Sequence, residues 1–441
     1  MFAAFVRAFR TPDLRKKLLF TIGILALFRL GSHVPVPGVS YGLVQACLAD
    51  GQKAGGSDQS GLLSLANLFS GGALLQLSVF ALGIMPYITA SIIVQLLTVV
   101  IPKFEALKEE GQAGQTKMTQ YTRYLTIGLA VLQSSTLVTF ARNPSALFGG
   151  SCENILTDSS SLTIVIMVLT MTAGTGLIMW FGELVTDKGV GNGMSLLIFT
   201  SIAAGFPSSL WSIKENKGWG TFLGILLMGM FVIGAVVYVE QSQRRIPVQY
   251  AKRMVGRREY GGTSTYIPLK VNMANVIPVI FASSLLALPG LVAQFNAGSS
   301  GNAPGWVSWV QENLQRGDKP IYMLVYVALI IFFTFFYVSI TFNPTEVADN
   351  MKKYGGFIPG IRAGRPTAEY LNYVLTRITV VGAIYLALVS LIPLIALVAV
   401  GANQNFPFGG TSIIIVVGVG LETVKQIEAQ LQQRHYEGFL R

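Results

Sequence analysis

Along this chain, apolar runs of roughly 18–25 residues alternate with short blocks in which most of the charge is gathered. A run of that length forms a helix able to cross a bilayer core of about 30 Å. The pattern predicts spans at about 18–36, 73–101, 124–141, 162–182, 190–206, 219–239, 271–295, 321–342, 378–400 and 406–423. The expected fold class is therefore an all-α polytopic membrane protein with ten transmembrane helices. One stretch resists simple crossing. The 44 residues from Gln59 to Pro102 carry no charge, too many for one span and too few for two with a loop. Gly71-Gly72 divides them, and the piece before, Gly61 to Ser70, is too short to cross. It reads as a re-entrant half-helix, buried in protein or lining a cavity, or as a helix on the outer surface.

An even number of spans puts both termini on one side, and the cations decide which. The termini and every second connection hold 25 Lys and Arg, the alternating connections 6, and Arg29 lies inside the first span. Cytoplasmic segments carry the excess of Lys and Arg, so both termini are expected in the cytoplasm of a multi-pass protein of the cell (inner) membrane. Composition agrees: 52% of residues are hydrophobic and 12% charged, against about 25% charged in a soluble domain. Arg7, Arg10, Arg15, Lys16 and Lys17 precede the first span, and no small-residue cleavage site follows Val34. That favours a retained anchor over a cleaved signal. Phe2, Phe5, Val6 and Phe9, with Arg7 and Arg10, suggest a short interfacial helix ended near Pro12.

The spans divide five and five around the connection 206–219, giving halves at 1–206 and 207–441. In each half the second span is interrupted, by Gly71-Gly72 and Pro86 in one and by Pro278 and Pro289 in the other. Interrupted helices at corresponding positions point to a site between inverted repeats. The halves show no residue-level repeat.

Ionisable groups inside a membrane mark ion and proton pathways, and here no Asp, Glu, Lys or His falls at an expected midplane. This argues against a coupled secondary transporter, the alternative by topology. His33 and His435 are the only histidines, far apart in the topology, so neither a metal cluster nor a serine–histidine protease is expected, and no aspartyl dyad can be assembled within the bilayer. No cofactor is implied. Gln95, Asn192, Asn272, Ser283 and Ser284 are polar groups within spans that suit pairing across helices. The Gly189–Gly193 run, with no Lys-Ser/Thr after it, suits a helix start or close packing rather than phosphate binding. Cys47 and Cys152 both fall on the expected outer side, where disulfides persist; a bridge between them or two free thiols are both open.

Cytoplasmic charge is concentrated in two loops. In 240–270, Arg244, Arg245, Lys252, Arg253, Arg257 and Arg258 outnumber Glu240 and Glu259, with Tyr250 and Tyr260 among them. Such a loop sets topology or touches anionic lipid; its length and aromatics also permit docking of RNA backbone or an acidic partner. The second loop, 343–377, presents Arg362 and Arg365 on a Gly/Pro-punctuated stretch.

Seven segments then stand out together: SGGALLQLSVFALGIMPYITASIIVQLLTVV (70–100), QYTRY (120–124), GNGMSLLIF (191–199), QRRIPVQYAKR (243–253), STYIPLKVNMANVIPVIFASS (264–284), FNPTEVADNMKKYGGFIPGIRAGRPT (342–367) and FGGTSIIIVV (408–417). In content and order they resemble the SecY family of protein-conducting channels, from Leu14 to Leu440. The resemblance implies two pseudo-symmetric inverted five-helix halves. It implies a plug helix at 61–70, with Leu62, Leu63, Leu65, Asn67, Leu68 and Phe69, and a lateral gate between the second and third spans on one side and the seventh and eighth on the other. The implied function is passage of unfolded secretory polypeptides across the membrane, and sideways release of transmembrane segments, without enzymatic chemistry. Partners implied are SecE and SecG subunits, the SecA ATPase, the ribosome, signal-sequence-bearing chains and membrane lipids. By motif position the pore ring would be Ile84, Ile88, Met194, Ile198, Ile280 and Ile415, with Met194 where relatives often have Ile. Gln95, Asn192 and Ser283 would belong to the gate, and Arg362 to SecA-driven movement. An apolar constriction gates by dewetting and lets any side chain slide past without binding it.

Overall fold

The computed structural model describes residues 9–44, 46, 70–74, 76–142, 155–156, 160–250, 253–255, 258–260, 264–296, 305–314, 319–400 and 410–437. The segment 61–69, both cysteines, Lys252, Arg257 and most of the expected interfacial helix at the N-terminus lie outside the described residues. In chain order the helices are α1 (Pro12–Gly31), α2 (Met85–Val100), α3 (Pro102–Glu109), α4 (Gln112–Arg142), α5 (Ser161–Lys188), α6 (Gly193–Gln241), α7 (Ile277–Asn296), α8 (Gly305–Asn313), α9 (Pro320–Thr341), α10 (Pro344–Lys353), α11 (Arg365–Val400) and α12 (Gly410–Glu437). Among the described residues, the strands β1 (Gln243–Tyr250), β2 (Arg253–Val255), β3 (Arg258–Tyr260), β4 (Ser264–Lys270) and β5 (Gly356–Phe357) occupy the two basic loops.

Every expected span coincides with a helix, although several boundaries differ; α4 begins at Gln112 and α11 at Arg365, each well before the expected 124 and 378. The span expected over 73–101 begins at Met85, because 70–74 and 76–84 run in turns: Gly71, Gly72, Leu77 and Gly83 all take positive φ. The connection expected at 206–219 is helical; α6 runs through Pro207 and breaks at Gly218, whose φ of 79° and ψ of 177° no helix accommodates. Helix α12 continues past its apolar run to Glu437. Among the described residues, four helical stretches are long and apolar enough to cross a membrane: Ser161–Lys188, Gly218–Gln241, Pro320–Lys353 and Arg365–Ile392. A fifth arises if Met85–Val100 and Pro102–Lys108, bent by 103°, form one broken span. The protein is thus a mostly helical membrane protein.

The chain forms two compact units, Met1–Phe222 with Gly401–Pro407 and Val419–Arg441, and Leu223–Val400 with Phe408–Gly418. In the first, α2 packs on α4 and α4 on α5. Its core gathers Val36, Leu74, Leu77, Leu82, Leu137, Met167 and Met171. Bidentate bonds from Arg123 to Glu183, at 2.8 and 2.9 Å, join α4 to α5. In the second unit α7 packs on α9 and α9 on α11. Edge-on contacts of Phe281 with Phe333 (5.6 Å) and Tyr337 (6.5 Å) key α7 to α9.

Candidate functional site: helix entrances and a basic hairpin

The six residues expected to form the ring share a position in their helices: all lie at the entrance or within the first two turns. Ile84 is the N-cap of α2, and Ile88, one turn on, donates its N–H to the Ile84 carbonyl at 3.1 Å. Met194 and Ile198 stand one turn apart at the start of α6, Ile280 near the start of α7 and Ile415 near the start of α12. Ile84, Ile198, Ile280 and Ile415 are buried; Ile88 and Met194 are partly so. All six side chains are uncharged. Within the first unit, close packing fixes the α6 pair. A Cβ on Gly193 would run into the Gly182 carbonyl of α5, and one on Gly182 would run into the Met194 thioether. The glycine-rich run is therefore a close-packed helix start.

The polar residues assigned to the gate take local bonds. Asn192 caps α6, its Oδ1 accepting from the N–H groups of Met194 (3.1 Å) and Ser195 (3.4 Å). The Ser283 hydroxyl donates to the Ile280 carbonyl at 2.9 Å. The Gln95 side chain is half-buried on α2, while its carbonyl accepts from Thr98 at 2.6 Å. The Ser284 hydroxyl and the Asn272 Oδ1 are buried without a hydrogen-bond partner among the described residues.

In the second unit, the loop expected at 240–270 is an antiparallel hairpin. Strands β1 and β4 pair from Gln243↔Lys270 to Gln249↔Ser264, and β5 adds to the other edge of β1. Alternation explains the sheet: Ile246, Val248 and Leu269 are buried against Met351, Ile358, Leu371 and Val374, while Arg245, Pro247 and Gln249 on the opposite face are exposed. Such alternation is what a half-buried antiparallel strand requires. Arg245 lies over the Tyr266 ring at 4.9 Å. Beyond, β2 and β3 pair Arg253 with Tyr260 and Val255 with Arg258. The hairpin is closed at its base by Asn272, which donates to the buried Glu240 carboxylate at 2.7 Å and to the Asn275 carbonyl at 3.2 Å. Gly360 and Gly364, at φ of 84° and 102°, shape the turn that exposes Arg362. Because β5 pairs with β1, the two basic loops, separate in sequence, form one structural element. Sequence reading missed this sheet and the Asn272–Glu240 clasp.

The comparisons with known proteins agree on one lineage. The SecY family model matches residues 78–424. A protein translocase subunit SecY of Streptomyces galbus is 65% identical over the full length of both chains, and those of Micrococcus luteus and Mycobacterium bovis are 59% and 57% identical with the same full coverage. Among solved structures, one described as the structure of a protein conducting channel aligns with a TM-score of 0.61 at 18% identity, covering 94% of this chain and 91% of that one. Sec61 in the canine ribosome–channel complex from the endoplasmic reticulum aligns with a TM-score of 0.58 at 17% identity, covering 94% and 91%. Full-length identity, the helix-entrance motifs and the shared fold lead to one conclusion: the chain belongs to the SecY family, the channel subunit of the protein translocase.

Proposed function

We propose that Ile84, Ile88, Met194, Ile198, Ile280 and Ile415 line, as an apolar constriction, the conduit of this SecY-family protein-conducting channel, which is not an enzyme. On this reading 61–70 is the plug; Gln95, Asn192 and Ser283 border the lateral gate; and the halves 1–206 and 207–441 supply its two sides. The observation that carries the reading is the repeated placement of uncharged, bulky side chains at the entrances of four helices, each beside a Gly or Pro break. Such a ring excludes hydrated ions by dewetting while passing chains of any composition.

The hairpin and the Arg362 turn serve as the cytoplasmic docking element. Arg244, Arg245, Lys252, Arg253, Arg257, Arg258 and Arg362 would meet the SecA ATPase or the translating ribosome, with both termini on the same side. SecE and SecG would complete the assembly. Support comes from the excess of cations on this side, from the joining of the two loops by β5 to β1, and from the kinship with translocase subunits. The test of the conduit is electrical. Ile84→Asn and Ile415→Asn, reconstituted in planar bilayers, are expected to conduct ions without substrate, where the parent protein stays closed. Unchanged conductance in both would overturn the ring assignment.

A further inference from the structure

We propose that Arg29 is a positioning residue for the channel's outer seal: its guanidinium fastens the Gly71–Gly72 turn, and through it the segment 70–84, to the outer end of α1. The Arg29 Nη1 donates to the Gly71 carbonyl at 2.8 Å. Gly71 itself is fixed in place. Its φ is +67°, and a Cβ there would stand 3.2 Å from both the Cα and the carbonyl oxygen of Ser201, a buried residue of α6. Three pieces of the first unit, α1, the turn and α6, thus meet at one glycine.

The neighbouring contacts show that this end of α1 is built to hold the segment. Phe28 stacks on Phe80 with ring centroids 5.9 Å apart. A Cβ on Gly31 would run into the same Phe80 ring. Val36 donates its N–H to the Leu77 carbonyl at 3.1 Å, and Val79 donates to that of Val34 at 2.9 Å. These contacts secure residues 77–80; at the Gly-Gly end the turn is closed on itself by the Leu74 N–H donating to the Ser70 hydroxyl at 3.1 Å, and the Arg29 bond ties that closed turn to α1. A hydrogen bond from an ionised donor in a partly buried place is among the stronger ones. It also accounts for a charge retained inside an otherwise uncharged span, where charge is costly. The inference rests on the reading of 61–70 as the plug, because the turn joins that segment to α2.

The experiment uses full-length protein in proteoliposomes, with Cys47 and Cys152 replaced by Ser. Ala73, buried beside the turn, carries the reporter substitution Ala73→Cys. Adding Arg29→Gln is expected to raise labelling at position 73 by a membrane-impermeant maleimide at least about tenfold, since a charged hydrogen bond is lost. Arg29→Lys should restore part of the protection, and Gly71→Ala should mimic the loss. A second reporter, Ala130→Cys, sits at a buried position of the same unit and should stay protected. Unchanged labelling at position 73 in Arg29→Gln and Gly71→Ala would overturn the proposal, as would equal exposure at position 130, which would mean general loosening. Ion leak measured in the same vesicles separates the two readings. Faster labelling with a leak supports both, and faster labelling without one supports the anchor while removing the seal.

Discussion

At the residue scale, the polar groups of the spans do work that polarity alone does not reveal. Asn192 is legible in the sequence as an intramembrane amide suited to pairing or to the gate. The structure gives its Oδ1 to two backbone N–H groups at the start of α6. Losing such a cap costs about 1 kcal/mol, so Asn192→Ala should lower the detergent-solution melting temperature modestly while Asn192→Asp retains it. Equal melting of parent and Ala variant would remove the capping role. Gly193 makes a sharper case. Its missing Cβ admits the Gly182 carbonyl, so Gly193→Val should push α6 from α5 and displace Met194 and Ile198. Overpacking of this kind typically costs about 1–3 kcal/mol; the outcome is read as reduced yield of folded protein by size-exclusion chromatography.

At the element scale, the spans are legible because hydropathy over roughly 20 residues leaves few alternatives. Their boundaries are less so, since positive φ at Gly71, Gly72 and Gly83 delays the start of α2, and Gly218 breaks α6 late. The hairpin is not legible. Its buried set is short, Ile246 and Val248 on one strand and Leu269 on the other, amid cations that read as loop. The third strand comes from Gly356–Phe357, about a hundred residues onward, and pairing at that separation leaves no local trace. The clasp at the hairpin base yields a prediction. Asn272→Leu removes a donor to the buried Glu240, so amide exchange in β1 and β4 should speed up while exchange in α9 is unchanged. Charge reversal at Arg244 and Arg245, both exposed, should instead weaken ribosome or SecA binding without altering exchange. Binding equal to the parent protein would reduce these cations to topology signals.

At the scale of the whole molecule, the six proposed ring residues are picked out by motif position alone, and the structure adds a shared physical setting: helix entrances with uncharged side chains. Composition alone does not single them out, because a buried isoleucine in a bundle looks the same whether it packs or lines a path. The distinction is visible only with a chain in transit. A photo-crosslinking amino acid placed singly at 84, 88, 194, 198, 280 and 415, and at the exposed Phe231 of α6 as control, tests this with a stalled secretory polypeptide. The account predicts crosslinks to the stalled chain from the six positions and little from Phe231. Crosslinks absent from the six, or equally strong at Phe231, would contradict a conduit lined by these residues.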